Sequence, residues 1–530
     1  MIRQTHLGLA ALGVALAGCG AGDDTQAASS PPPLGSLVRP DTPGNTLLFR
    51  FAASDTVETF GSTEGHFLVH YTRQGPNAVP AADTDSSGVP DFVEDVASVY
   101  EAVLAKYHDD LGFRAPASDE GLPDNGGDGR FDVYLVDFAG KGDGNYQNDA
   151  CDPQNKEICA GYMVQENDFK GYGYPSTKVA NRILGSHEFF HAVQAAYDTG
   201  QGSVLAEGTA VWATEQFDPS LSDFEGFLKG YLDNPDRPVD TPLPGPVDPF
   251  SYGSAIFFEF LEEHYGDGTV RALWERCENG AGGEADPKWL TALGPLLEQQ
   301  ASASFPSAMV DFATWNLFTG SLADPTRSYA NGKNYPAVSM NDGAAPYFED
   351  LLRVYHASSQ YHRMSPDGRS AMTAALVAHP GSPEDTQGLE LLLAVQRGNA
   401  YDPVKHLADV SAGTETIDTN GAARLVAIVV NGATGGNSRR PALCIGTTDE
   451  VAACSKMVQS GGGTGGAGGG GSGGGGSGAE EPPPEDASGC GCRMTAPAET
   501  SPAALIAISL AALYRRRRRA RTAASASPIA

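Results

Sequence analysis

Apolar positions along the chain change rhythm twice. GHFLVHY at 65–71 has strand character, and RFDVYLVDF at 130–138 alternates as a half-buried strand. Around them the period lengthens to that of a helix. Residues 91–113 and the stretches 176–198, 204–217, 251–265, 268–278 and 305–318 repeat apolar side chains every three or four positions. Past about residue 345 that period fades, and AMTAALVAH, LELLLAVQ, ARLVAIVV and PALCIG form strand-like runs between Gly, Asp, Asn and Pro turns. The pattern predicts an α+β domain over 46–345 and a small all-β, sandwich-like domain over 346–457.

Both ends depart from this globular texture. Residues 1–18 join Arg3 to the apolar run LGLAALGVAL and read as a signal peptide. Leu16-Ala17-Gly18-Cys19 resembles the bacterial lipoprotein box, which implies lipidation at Cys19, and the low-complexity residues 19–45 then read as a tether. Residues 458–489 form a Gly/Ser/Pro-rich linker. Beyond it, GCGCRM, an apolar stretch ending PAALIAISLAALY and an arginine cluster from Arg515 resemble, over 490–530, the myxobacterial C-terminal sorting tail. That resemblance implies a transmembrane segment, recognition near Cys490 and Cys492, and display at the cell surface. The chain is therefore expected outside the cytoplasm, at the outer membrane or cell surface or released, with membrane contact through the N-terminal lipid, the sorting tail or both.

Charge narrows the partners. The 530 residues carry 35 Lys and Arg against 66 Asp and Glu, a formal charge of −31. A nucleic-acid partner needs a basic face, so that class is excluded. The acidic balance suits an exported protein that holds calcium with carboxylates. Cys151 and Cys159 bracket one short polar loop and Cys444 and Cys454 another, which predicts two local disulfides in an oxidising compartment. Cys277 reads as a buried thiol rather than a nucleophile.

One helical stretch carries chemistry. In GSHEFFHAVQAAYD (185–198), His187 and His191 are four residues apart and share a helix face. Two neutral imidazoles so spaced can ligate one zinc ion, with Glu188 as general base for a metal-activated water. Ser176 or Thr177 supplies the helix cap, and Val179, Ile183, Leu184, Phe190 and Val193 continue the apolar face. A metzincin would carry a histidine at 197, where Tyr197 stands, and a glycine at 194, where Gln194 stands, so that subclass is excluded. SVLAEGTAVWATEQF (203–217) instead sets Glu207 in an apolar helix, with Glu215 two turns on as the competing third ligand.

HExxH followed by EGTAVW resembles the gluzincin metalloproteases. The order of GHFLVHYT, DTDSSGVPDFVE, DVYLVDF, HExxH, EGTAVWATE and SYGSAIFFEFLEEHYG resembles a family of secreted metalloproteases from myxobacteria over roughly residues 60–350. The resemblance implies a zincin-like fold, zinc on His187, His191 and Glu207, Glu188 as catalytic acid and base, and a protein or peptide substrate for a monomer. Two alternatives stand beside it: a calcium-dependent surface binding or adhesion protein with a non-catalytic metal centre, and a zinc amidohydrolase on a non-peptide substrate. Tyr252 and His264 are candidate oxyanion donors, although packing by Ile256, Phe257, Phe260 and Leu261 accounts for the same stretch.

DTDSSGVPDFVE sets Asp83, Asp85, Ser87, the Val89 carbonyl, Asp91 and Glu94 at the ligand positions of a calcium loop, with Gly88 at its turn. Pro80 forbids an entering helix, so this would be a lone loop feeding the helix that follows. DNGGDGRFD (124–132) is a weaker echo and reads as a glycine-rich loop.

Overall fold

The computed structural model describes residues 38–461, apart from 246–247, 279–286, 409 and 411–412. The signal peptide, Cys19, most of the linker and the sorting tail with Cys490 and Cys492 lie outside the described residues.

Strand alternation builds the first layer. β1 (Val57–Gly61) and β2 (Phe67–Thr72) pair antiparallel. The helix α1 (Asp91–Leu104) follows and ends in a wider π-helical turn over Ala105–Asp110. β3 (Phe131–Val136) then lies parallel to β2. β4 (Gly144–Cys151) and β5 (Cys159–Glu166) form a hairpin closed at its end by the Cys151–Cys159 disulfide. The sheet order is β1-β2-β3-β5-β4, which leaves β4 at an edge. Phe67, Val69, Val133, Leu135 and Met163 point to the main apolar core, while Tyr134, Val136, Tyr162 and Val164 point to a smaller one with Phe51 and Phe138. Arg39, inside the stretch read as a tether, is only 1% exposed and pairs with Asp119, Asp132 and Asp149.

Helices cover the main face. They are α2 (Thr177–Ala195), α3 (Ser203–Phe217), the short α4 (Phe224–Phe227) and α5 (Lys229–Leu232), α6 (Pro249–Gly253) and α7 (Ala255–Tyr265). The layer continues with α8 (Thr269–Cys277), α9 (Trp289–Ala301) and α10 (Phe305–Trp315). The stretch expected as one helix over 251–265 is thus two. α9 lies outside the stretches whose periodicity predicts a helix, and it carries Pro295 in its interior, where proline ordinarily breaks one.

Strands return with β6 (Asn341–Ala344), β7 (Tyr347–Glu349), β8 (Ser358–Ser365), β9 (Ala371–Val377) and β10 (Leu389–Arg397). β11 (Ala400–Tyr401), β12 (Lys405–Leu407), β13 (Glu415–Asp418), β14 (Arg424–Asn431) and β15 (Ala442–Gly446) complete them. They form a six-stranded sheet, β11-β10-β14-β8-β6 with β12 on β10, and a four-stranded sheet, β13-β9-β15-β7. Leu391, Leu393, Leu425, Ala427 and Val429 meet Met372, Ala374, Leu376, Leu443 and Ile445 between the sheets. Leu392, Ala394, Val426, Ile428 and Val430 face the helical core on the opposite side. Burial on both faces explains why LELLLAVQ and ARLVAIVV are continuous apolar runs rather than alternating ones.

A last helix, α11 (Thr448–Gln459), stands where the sequence predicted only strands. It opens with a capping box in which Thr447 Oγ1 accepts from Glu450 N at 3.3 Å and Glu450 Oε2 accepts from Thr447 N at 2.7 Å. It covers the four-stranded sheet and carries Cys454, bonded to Cys444 on β15. Both expected disulfides are present and fit an oxidising compartment. Cys277 is buried on α8, outside both bridges. No helix among the described residues is long and apolar enough to cross a membrane.

Candidate metal centre

Ser176 starts α2, its Oγ accepting from Val179 N at 3.2 Å. A buried relay then fixes the helix in place. Tyr100 OH donates to Gln165 Oε1 (3.1 Å), Gln165 Nε2 to Asn181 Oδ1 (2.8 Å) and Asn181 Nδ2 to Asp95 Oδ2 (2.8 Å), which ties α1, β5 and α2 together. One turn separates His187 from His191, whose ring centroids lie 5.2 Å apart at 85°. α3 crosses beside them. A Cβ on Gly208 would lie 2.6 Å from the Phe258 ring and 3.2 Å from Ser251 O, so glycine is what lets α3 seat against α6 and α7 next to Glu207.

Glu207 Oε2 therefore comes within 3.3 Å of His187 Nε2 and 3.6 Å of His191 Nε2. The three residues each offer a ligand atom within 4.8 Å of the others. Ligands about 2.0–2.1 Å from a tetrahedral cation are about 3.3–3.4 Å from one another, so the trio fits a single metal ion almost as it stands. Glu215, the competing ligand, is not in this group. It is buried at the far end of α3, and burial together with Glu225, Asp218 and Asp223 pushes its carboxyl up to about 7.

Charge is concentrated here. Burial alone would raise Glu207, but the His191 and His187 imidazoles outweigh it and hold the carboxyl well below the usual carboxylate range. Burial alone would lower His191, but Glu207, helped by Glu188 and Gln194, brings it up to about 9. Burial pushes the Glu188 carboxyl up, against the pull of both histidines. Glu188 Oε2 also accepts from Tyr146 N of the edge strand β4, at 3.2 Å. Asp223 is pushed up to about 6 by burial, with His187 opposing and Asp143 and Glu225 adding.

Of the two candidate oxyanion donors, only Tyr252 borders the trio. Its ring stacks on His187, 5.6 Å between centroids and 7° from parallel, with Phe227 on Tyr252 at 5.1 Å. His264 packs instead on Phe260 and Trp315, 3.4 Å from Asp311. Sequence reasoning missed two contacts: the β4 backbone at Glu188, and Gln194, whose Oε1 lies 2.8 Å from His191 Nδ1. The first had no visible signal, because GNYQNDAC does not alternate. The second did, since Gln194 stands three residues after His191 on the same face.

The acidic loop also converges, in part. Asp83, Asp85 and Asp91 bring carboxylate oxygens within 4.8 Å of one another and could hold a cation. Ser87 N donates to Asp83 Oδ1 (3.1 Å) and Asp85 Oδ1 (3.0 Å), and Thr84 N to Asp91 Oδ1 (2.8 Å). Gly88, at φ +90°, makes the turn that other residues rarely adopt. Ser87 Oγ donates to Val89 O at 3.3 Å, and Glu94 lies in the first turn of α1, outside the aspartate trio. The stretch 124–132 is loop up to β3, as expected.

Comparison with models of known protein families and with curated proteins finds no match to this chain.

Proposed function

We propose that this chain is an exported zinc metalloprotease of the gluzincin type, hydrolysing peptide bonds with Glu188 as general base and acid. The approach of Glu207 Oε2 to both imidazole Nε2 atoms, at 3.3 and 3.6 Å on the helix that also bears Glu188, carries the reading. Three protein donors leave a tetrahedral cation one position for water, whereas a structural zinc takes four. Zinc, when bound, supplies Lewis acidity toward water and toward a substrate carbonyl.

The chain's own groups do the rest. Burial raises the Glu188 carboxyl above the ordinary carboxylate value, which makes its ionised form a stronger base, suited to take a proton from the attacking water and return it to the leaving amine. Tyr146 N–H orients that carboxylate from β4. β4 is an edge strand, so an extended peptide pairing along it would run past Glu188. The Tyr252 hydroxyl is the candidate donor to the carbonyl oxygen. The two disulfides support work in an oxidising space, and the lipoprotein box and sorting tail support attachment at the cell surface.

The test is cleavage of unfolded casein by the purified protein beside its Glu188→Gln variant. Both should hold about one zinc per chain, and only the wild type should cleave. Zinc-loaded wild type that leaves both casein and a mixed peptide library intact would refute the protease reading.

A further inference from the structure

We infer that Gln194 is the positioning residue of the metal centre, selecting the His191 nitrogen that faces the trio and tying that histidine to the backbone beside Glu207. The inference rests on the metal reading above. The direction of each hydrogen bond follows from donors that have no alternative. Trp274 Nε1 can only donate, and it lies 3.3 Å from Thr209 Oγ1. The Thr209 hydroxyl spends its one proton on Leu205 O, at 2.6 Å. Its oxygen is therefore an acceptor for the Gln194 side-chain nitrogen, 3.0 Å away. The same nitrogen donates to Ala206 O at 2.8 Å.

The amide is thereby turned one way. Its Oε1 faces His191 Nδ1 at 2.8 Å, and a carbonyl oxygen only accepts. In its neutral, ligating form His191 therefore carries its proton on Nδ1, which leaves Nε2, 3.6 Å from Glu207 Oε2, as the metal-facing atom. Ala206 immediately precedes Glu207, so one side chain sets both the ring of the second ligand and the backbone of the third. Gln194 is 5% exposed and its amide is bonded at both ends, which restricts it to one orientation. A carboxylate at this place would still accept from His191, but it could not donate to Ala206 O or Thr209. That difference separates the two roles of the residue.

The probe is zinc alone, titrated against a chelating dye with the full-length wild type, Gln194→Met and Gln194→Glu. The Met variant loses the acceptor and both donors, and its zinc affinity should fall about 10–100-fold. The Glu variant keeps an acceptor for His191, and its affinity should fall less than about tenfold. Zinc-free thermal stability should fall in both, because both lose the donors that join α2 to α3. A Glu variant as weak as the Met variant would mean that Gln194 only ties helices, and would overturn the inference, as would wild-type affinity in the Met variant. Ring ¹H–¹⁵N correlation on zinc-loaded wild type decides independently of either variant's folding. A proton on His191 Nδ1 with Nε2 on zinc supports the assignment, and ligation through Nδ1 overturns it. Wild type that takes up no zinc would instead remove the metal reading, and this inference with it.

Discussion

His191 on α2 and His362 on β8 are both withdrawn from water, and burial disfavours the charged form of each. At His362 nothing opposes it. Tyr347 OH lies 3.1 Å from Nδ1, Nε2 has no hydrogen-bond partner among the described residues, and burial lowers the pKa to about 4. At His191 burial also acts to lower the value, but Glu207, Glu188 and Gln194 outweigh it and the pKa rises to about 9. One residue type, buried twice, is thus neutral in the sheet region and charged in the helical layer when no metal is present. The sheets exclude charge around Leu391, Leu393 and Val429, while α2 and α3 gather it at a point where a metal ion can take the place of a proton.

The largest expected effect lies in the helical layer. Glu188→Gln should lower kcat about 10²–10⁴-fold with zinc retained, measured on a fluorogenic peptide. Unchanged turnover would leave the layer's charge without a catalytic use. Next is the pH dependence of the zinc-free protein, read by urea unfolding from about pH 5 to pH 9. His191 has a folded pKa above the unfolded value of about 6.5, so its contribution is whole below about 6.5 and fades as pH rises through about 9. The deficit of Glu207→Gln relative to wild type should therefore shrink toward alkaline pH, by about 3 kcal/mol at most. His362 has a folded pKa below the unfolded value, so the unfolded chain takes up the proton first and stability is lost as pH falls from about 6.5 toward 4. His362→Leu should gain on wild type by about 2 kcal/mol between pH 7 and pH 5. If both variants moved in the same direction, the contrast between the regions would fail.

Smaller effects sharpen it further. Gly208→Ala should cost about 1–3 kcal/mol by driving a methyl into Phe258, and it should weaken zinc binding by shifting Glu207, both seen in zinc titrations followed by thermal unfolding. The exposed aspartate loop is expected to matter least. Calcium in excess should raise Tm by about 2–4 °C in wild type and not in Asp83→Asn.

The sequence carried most of what periodicity can carry. α2, α3, α8, β2, β3, β10 and β14 lie where the 3.6- and 2-residue patterns set them, and Ser176 caps α2 as its residue type suggested. The elements left unread had contrary local signals: Pro295 inside α9, and a polar, non-alternating β4. α11 stayed hidden because the strand pattern before it dominates, although its Thr447–Glu450 box is a start signal. In the metal centre, spacing alone could pair His187 with His191, since both lie on one helix. Glu207 is preferred to Glu215 there only through the resemblance carried by EGTAVW; its physical basis is the approach of α3 at Gly208, a tertiary fact that enters the sequence only as a glycine beside a glutamate. Arg39 was hidden for a related reason, since its partners Asp119, Asp132 and Asp149 are distant in sequence.

The most direct test of the central claim is metal analysis of the purified protein together with the His187→Ala/His191→Ala double variant. About one zinc per wild-type chain and none in the variant is the result expected of a His187, His191 and Glu207 centre. A wild type without zinc after reloading, or a double variant that keeps it, would contradict the account.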